Sequence, residues 1–218
     1  LVTRVGLRRA KQVVAVSQYT RSQILRRYGK NLDDKIQVVY EGWEHLLLHE
    51  KDKYELPQDV TFKNYILYVG SSRAHKNLSR LLEAIQQCHL QLPPEWGFLF
   101  IGSNTMLSNK QVQQIKEINA KCQVVQFTGW KDASSLATYY RHAKALIFPS
   151  LSEGFGIPIL EAYFYHLPLL LSNQASLSEV AGEAAIYFNP YDTNEIAQTI
   201  LQFVQQSCGC FVSTAKRT

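Results

Sequence analysis

The chain of 218 residues is 46% hydrophobic and 11% aromatic, which supplies a sizeable core and excludes global disorder. Its length is long for one domain and short for two full ones. The four cysteines are scattered and show neither the paired spacing of a zinc site nor a disulfide framework. We therefore expect a globular protein of a reducing, cytoplasmic compartment.

The net charge of +5 is concentrated at the front of the chain, where residues 1–35 carry nine Lys or Arg and two Asp. Such a segment is typical of contact with an anionic partner, either a membrane surface or a phosphate-bearing ligand. A solvated helical face explains the same charges equally well. No aromatic stacking pattern accompanies them, so nucleic acid is not expected as a partner.

Apolar runs and helical patterns alternate along the chain. Strands are predicted at residues 11–17, 35–42, 65–70, 96–102, 122–129, 144–150, 169–172 and 184–188. Helices are predicted at residues 19–29, 77–91, 110–121, 133–143, 158–166, 176–182 and 193–207. Because strands covered on both faces read as unbroken apolar runs, we predict an α/β fold with a Rossmann-like, doubly wound parallel sheet. Ligands of such sheets bind outside the carboxyl ends of the strands.

One turn after a predicted strand carries two carboxylates, Glu153 and Glu161, with Gly154, Gly156 and Pro158 between them. The pattern predicts a glycine-bearing loop followed by a helix that Pro158 can start. Free backbone N–H groups and the helix dipole favour an anion there, and glycines allow its close approach. Carboxylates suit the vicinal diols of a ribose or hexose. A general acid/base pair and a simple preference of acids for helix starts are the competing interpretations.

The turn at residues 70–76 is basic and follows the first strand of the regular part of the chain. Gly70 permits a tight turn, and Arg73 and Lys76 are both candidates to meet a diphosphate. We expect Lys76 to open a helix, where a cation opposes the dipole unless an anion is bound nearby. Solvated charges at a helix start are the alternative, since the turn is neither a P-loop nor a dinucleotide fingerprint.

Several motifs occur in a fixed order along nearly the whole chain. The most specific is Glu153-Gly-Phe-Gly-Ile-Pro-Ile-Leu-Glu161. The others lie at residues 14–17 with Thr20, 36–42, 67–70 with 76–77, 81–84, 127–129, 140–150, and 178–182 with 189–190. This ordered set resembles the retaining glycosyltransferases of the GT-B fold, in the large family of glycosyltransferases group 1.

The resemblance implies a role for each matching residue. Glu153 contacts the hydroxyls of the donor sugar, Glu161 holds the ribose hydroxyls, and Lys76 neutralises the departing diphosphate. The implied catalytic residues are Glu153, Lys76 and Arg73. The remaining implied donor-binding residues, besides Glu161, are Gly70, Ser71, Gly129, Trp130, Lys131, Gly154, Phe155, Gly156 and Ile157. No metal and no cofactor are implied, because Lys76 and the helix dipole can stabilise the leaving diphosphate instead.

The chain also departs from the family pattern. Many members place Arg directly after the glycine of the first turn, where this chain has Ser71, and Arg73 in the same turn is expected to substitute. The resemblance implies that residues 1–45 are the end of the N-terminal acceptor domain and 46–63 a linker. Residues 64–207 are then the donor nucleotide-sugar-binding domain, the C-terminal half of GT-B, and 208–218 an atypical tail. A chain without most of the acceptor side is expected to be inactive alone.

The implied activity is hexosyl or mannosyl transfer, with retention, from a nucleotide sugar to a saccharide or lipid-linked acceptor. The setting is polysaccharide or lipopolysaccharide synthesis in the cytoplasm, with peripheral contact at an anionic inner membrane face. GDP-mannose and a UDP-hexose both fit as donor. A nucleotide-binding module without catalysis of its own and a nucleotide-sugar epimerase of related fold are the alternatives, and the spacing of the two glutamates favours transfer over epimerisation.

Overall fold

The computed structural model describes residues 2–44, 55, 57–102 and 107–208. The strands are β1 (Val13–Ala15), β2 (Ile36–Val38), β3 (Asn64–Val69), β4 (Trp96–Ile101), β5 (Val125–Gly129), β6 (Ala145–Phe148), β7 (Leu169–Ser172) and β8 (Ala185–Phe188). The helices are α1 (Val2–Arg9), α2 (Gln18–Tyr28), α3 (Leu78–Cys88), α4 (Asn109–Lys121), α5 (Ala133–His142), α6 (Ile157–Phe164), α7 (Leu177–Ala181) and α8 (Thr193–Ser207). Short 3₁₀ turns lie at Lys30–Lys35, Ala74–Lys76 and His89–Gln91.

Strands β3 to β8 form one parallel sheet in the order β5-β4-β3-β6-β7-β8. The chain winds outward from β3 in one direction and from β6 in the other. The predicted α/β fold with a doubly wound parallel sheet is therefore confirmed. The crevice at the carboxyl ends of β3 and β6 is the topological switch point, where sheets of this kind hold their ligands.

The central strands β3, β4, β6 and β7 are buried on both faces, which explains why they read as unbroken apolar runs. Along β3, Ile66 and Tyr68 enter a core cluster shared with α3, α4 and α8. Tyr65 and Leu67 enter the opposite cluster, which α5, α6 and α7 cover. Each fully buried aliphatic side chain of these clusters contributes about 1.5–3 kcal/mol, so the layers hold the switch point rigidly.

The front of the chain forms a smaller unit. Strands β1 and β2 pair in a separate parallel sheet, and a small core gathers around Ala15, Leu32 and Ile36. Helix α2 begins after Ser17, whose side chain accepts a hydrogen bond from the Thr20 N–H. Helix α1 was not predicted from the sequence. The division into domains stays a prediction, because most of the expected linker at 46–63 and of the tail at 208–218 lies outside the described residues.

The expectation that Lys76 opens a helix is wrong. Lys76 ends the 3₁₀ turn Ala74–Lys76, and Asn77 then adopts a left-handed conformation with φ 59° before α3 begins at Leu78. Asparagine is among the few residues that adopt this conformation readily, so it separates the turn from the helix. The conflict between the Lys76 charge and a helix dipole therefore does not arise.

Candidate functional site

The two loops at the switch point are fastened to each other. The Leu151 N–H donates to the His75 carbonyl at 2.7 Å, which joins the loop after β6 to the loop after β3. The buried Asn77 amide donates to the Pro190 carbonyl at 2.8 Å and to the Pro149 carbonyl at 3.2 Å. Asn77 thereby ties three loops at the carboxyl edge of the sheet, and it was not among the predicted site residues.

An ion pair lies between these loops. The Lys76 Nζ is 2.7 Å from the Glu153 Oε1, and their side chains are only 17% and 14% exposed. The same ammonium sits 4.9 Å from the centroid of the Phe148 ring. The structure thus brings together two of the three predicted catalytic residues. Arg73, the third, is exposed on the same loop and has no ion pair within the described part of the chain.

A buried tyrosine, Tyr68, makes a hydrogen bond to the backbone of the loop at Ser71. The Tyr68 hydroxyl donates to the Ser71 carbonyl at 2.9 Å. Burial, and then the negative charge of Glu153, raise the pKa of Tyr68 far above its ordinary value. Tyr68 therefore stays a neutral hydrogen-bond donor under the predicted phosphate turn.

The loop between Glu153 and α6 exposes a row of backbone donors. Gly156 has φ 111°, and a Cβ there would lie 3.1 Å from the Ile159 Cδ1 and 3.2 Å from the Leu177 Cδ2. Within the described residues, no acceptor meets the N–H groups of residues 153–157. They lie at the N-terminus of an eight-residue helix, whose dipole adds positive potential. Together these groups are suited to bind an oxyanion.

Glu161 lies one turn into α6 and is oriented by a buried tyrosine. The Tyr140 hydroxyl donates to the Glu161 Oε2 at 2.6 Å, and the Tyr140 ring stacks on that of Tyr165. Burial first, and then the charge of Glu161, raise the pKa of Tyr140 well above its usual value, so Tyr140 remains a donor. The two predicted carboxylates thus have different partners, Lys76 for Glu153 and Tyr140 for Glu161. Tyr140 begins the family motif at residues 140–150, but no local sequence pattern predicts its contact with Glu161.

At the end of β5, the three predicted donor-binding residues differ in how far their surroundings engage them. Gly129 has φ 76° with open space around it, and the Trp130 side chain is 75% exposed. Lys131 instead pairs with Asp59 at 2.9 Å and lies above the Tyr139 ring. Burial raises the pKa of Asp59, but hydrogen bonds from Lys131 and Tyr139 outweigh it and hold that pKa below its usual value.

Metal-ligating clusters and membrane-spanning helices are both absent from the described residues. No group of three or more His, Cys, Asp or Glu suited to a metal ion occurs among them. Within the same ranges, no helix combines the length and the apolar character needed to cross a bilayer.

The geometry places the N–H groups of residues 153–157 beside the Lys76–Glu153 ion pair, at the switch point of a doubly wound sheet. A profile described as "Glycosyl transferases group 1" matches residues 48–216, which is most of the chain. The chain belongs to this family of glycosyltransferases.

Two relatives and two solved structures show what the chain is similar to. It is 28% identical over 214 residues to O-antigen chain mannosyltransferase B of Escherichia coli, covering 95% of this chain and 55% of the relative. It is 27% identical over 204 residues to O-antigen chain mannosyltransferase RfbU of Salmonella typhimurium, covering 93% and 53%. Among structures, Anabaena Alr3699/HepE in complex with UDP and glucose matches with a TM-score of 0.77 and 18% identity, covering 95% of this chain and 57% of that one. Sucrose-phosphate synthase from Thermosynechococcus elongatus matches with a TM-score of 0.73 and 23% identity, covering 95% and 52%.

The likeness to these structures confirms the GT-B-type fold that the resemblance implied. The chain spans about half the length of the relatives it matches.

Proposed function

We propose that this chain forms the donor side of a retaining hexosyltransferase site. The observation that carries the proposal is the row of N–H groups at residues 153–157, which meet no acceptor in the described part of the chain and lie beside the Lys76–Glu153 pair. A nucleoside diphosphate places its phosphates against such donors and a cation, and its sugar beyond them. The family membership supports the same assignment.

Each predicted residue takes a role in this proposal. Lys76, with Arg73 from the same turn, neutralises the leaving diphosphate, and Glu153 contacts hydroxyls of the transferred sugar. Glu161, oriented by Tyr140, accepts hydrogen bonds from the ribose. The remaining proposed donor-binding residues are Gly70, Ser71, Gly129, Trp130, Lys131, Gly154, Phe155, Gly156 and Ile157. Of the residues at the end of β5, the exposed Trp130 is best placed to contact a base, because Lys131 is engaged by Asp59.

The donor class is proposed from the relatives. Both O-antigen relatives are named mannosyltransferases, which favours GDP-mannose as donor. The complex of the Anabaena protein with UDP and glucose keeps a UDP-hexose as the second choice. The proposed acceptor is a saccharide or lipid-linked saccharide of polysaccharide or lipopolysaccharide synthesis.

Two further expectations stay predictions. Inactivity of the chain by itself in sugar transfer is one of them. Peripheral contact with an anionic membrane is the other, and the exposed Arg4, Arg8 and Arg9 of α1 are the groups that would carry it.

Replacement of Glu161 by Ala tests the ribose role. Because a charge-assisted hydrogen bond contributes about 1.5–3 kcal/mol, we expect the Kd of the preferred nucleoside diphosphate to rise by roughly 10- to 100-fold. Isothermal titration of GDP, UDP, GDP-mannose and UDP-glucose first establishes the preferred ligand of the unaltered chain. Glu117→Ala, at an exposed position on α4, is the matched control and should bind as the parent does. Unchanged affinity in Glu161→Ala would refute the ribose role, and no binding by the parent chain would refute the proposed function.

A further inference from the structure

The carbonyl groups of the donor loop, residues 153–157, are held by hydroxyls from two directions. From the front unit, the Ser17 Oγ donates to the Gly154 carbonyl at 2.6 Å and the Thr20 Oγ1 donates to the same oxygen at 2.9 Å. From the other side, the Ser176 Oγ lies 2.9 Å from the Phe155 carbonyl and 3.1 Å from the Glu153 carbonyl, so that its single proton is shared. Ser17 and Ser176 are fully buried, whereas the bond from Thr20 is exposed to water.

Helix α2, which supplies Thr20, is itself fastened to the donor side of the molecule. The Glu179 carboxylate of α7 accepts the Gln18 N–H at 2.6 Å and the Tyr19 N–H at 3.0 Å. An acidic group at a helix N-terminus is stabilised by the free N–H groups and the dipole there. A hydrogen bond to Glu179 also raises the pKa of Tyr40, whose ring lies 6.0 Å from that of Phe155. Helix α2 therefore makes two contacts with the donor side: it donates a hydrogen bond to the donor loop, and Glu179 of α7 caps its N-terminus.

These bonds determine where the N–H groups of the loop point. In a trans peptide the C=O of one residue and the N–H of the next point in opposite directions. Fixing the Gly154 carbonyl against α2 therefore turns the Phe155 N–H away from α2. Fixing the Glu153 and Phe155 carbonyls on Ser176 likewise turns the N–H groups of Gly154 and Gly156 away from Ser176. The orientation of these N–H groups therefore depends on the hydroxyls of Ser17, Thr20 and Ser176 as well as on the glycines.

We propose that Ser17, Thr20 and Glu179 are positioning residues for the donor loop. They hold the peptide planes in the orientation that presents N–H groups to the diphosphate, so donor affinity depends on the docking of α2. This inference rests on the proposed function, because it assigns those N–H groups to a bound diphosphate. It gives a role to the motif of residues 14–17 with Thr20, and to Glu179 within 178–182, which the donor contacts leave unexplained.

Three variants at α2 test the proposal by isothermal titration of the 218-residue chain with GDP and UDP. Thr20→Val keeps the side-chain shape and removes the hydroxyl, while Thr20→Ser keeps the hydroxyl. Because one such hydrogen bond contributes about 1 kcal/mol, Thr20→Val should weaken the preferred diphosphate about 5-fold and Thr20→Ser less than about 2-fold. Ser22→Ala is the matched control, since the Ser22 hydroxyl bonds the Tyr19 carbonyl on the same helix without reaching the loop. It should bind as the parent chain does.

A second ligand separates positioning from general damage. Guanosine and uridine lack the phosphates, so their affinities should be the same in Thr20→Val and in the parent. Glu179→Gln acts from outside the loop and sets an amide N–H₂ against the backbone N–H groups of α2, so it should also weaken the diphosphate selectively. It keeps the test decisive if Thr20→Val fails to fold, as judged from its thermal unfolding.

The possible outcomes are distinct. If the parent binds neither GDP nor UDP, both the proposed function and this inference fail. If the parent binds and the folded variants bind equally well, the inference alone is overturned. Equal losses for nucleoside and nucleoside diphosphate would also overturn it, because the effect would then be structural. Selective loss of diphosphate affinity, restored in Thr20→Ser, supports it.

Discussion

At the scale of single residues, Lys76 and Glu153 are two charges largely removed from water. Their side chains are 17% and 14% exposed and their charged atoms are 2.7 Å apart. Removing one partner of such a pair leaves the other charge buried without compensation, which costs more than the pair itself contributes. The pair is therefore a sensitive point for stability as well as a candidate for chemistry.

We expect Lys76→Met to lower the free energy of unfolding by about 2–4 kcal/mol, because Glu153 then stays buried without its cation. Adding Glu153→Gln should recover part of the loss, since no unpaired charge remains. Urea unfolding of both single variants and the double variant gives the coupling energy. Lys131→Met is the control: the Asp59 carboxylate of its ion pair is 44% exposed, so its loss should stay below about 1 kcal/mol. Equal losses at Lys76 and Lys131 would contradict this account.

The sequence predicted both members of this pair as site residues, but not their contact. Glu153 was marked by the two-carboxylate motif and Lys76 by the basic turn after a strand. The pairing depends on how β3 and β6 lie side by side, which no local pattern encodes. The same is true of Lys131 and Asp59, whose ion pair joins residues 72 positions apart.

At the scale of elements, the predictions succeeded where burial dominates. The predicted bounds of β7 and α8 coincide with Leu169–Ser172 and Thr193–Ser207, because an unbroken apolar run and a strongly periodic helix leave little choice. Helix α1 was missed because it is only eight residues long and contains Gly6, a poor helix former. The start of α3 was misplaced because the left-handed Asn77 depends on contacts with Pro149 and Pro190, which are distant in sequence.

The end of β4 offers a test of how closely the carboxyl edge of the sheet is packed. A Cβ on Gly102 would lie 1.9 Å from the Gly70 carbonyl oxygen, which is backbone of the neighbouring strand end and cannot move cheaply. We expect Gly102→Ala to lower the free energy of unfolding by roughly 3 kcal/mol or more, because overpacking and backbone displacement add. Chemical denaturation at neutral pH measures the difference.

Gly129→Ala at the end of β5 is the matched control for this prediction. Gly129 also has a positive φ of 76°, but a Cβ there meets open space. Its loss should be limited to about 1–2 kcal/mol of conformational strain. Equal losses in the two variants would show that the close approach of Gly102 to the Gly70 carbonyl is not the cause of the lost stability.

At the scale of the whole molecule, buried phenols make the fold sensitive to alkali. Burial chiefly raises the pKa values of Tyr65, Tyr68 and Tyr140, with nearby negative charges adding to the effect. In the unfolded chain these phenols lose their protons near pH 10. Above that pH the unfolded state binds fewer protons than the folded state, so stability falls as pH rises. Their contribution is fully present below pH 10 and is lost as pH rises toward the raised folded values.

We therefore expect the free energy of unfolding to decline above about pH 10, by at most about 1.4 kcal/mol per pH unit for each buried phenol. Urea titrations at pH 8, 9.5, 10.5 and 11 measure the slope, and tyrosinate absorbance should rise together with unfolding. Tyr68→Phe removes one such group and should make the slope shallower. A buried phenol that ionises before the chain unfolds would contradict the expectation.

The contact between α2 and α7 also bears on how the chain matures during its synthesis. The hydrogen bonds from Gln18 and Tyr19 to Glu179 join residues 161 and 160 positions apart. Translation at about 5–20 residues per second separates the emergence of these two ends by roughly 8–30 s. Until Glu179 has emerged, α2 lacks these two hydrogen bonds to α7, whereas the small core around Ala15, Leu32 and Ile36 uses no residue later than Val38. Residues 153–157 can take their final geometry only after Glu179 has left the ribosome. Docking of the front unit is therefore a late step in folding.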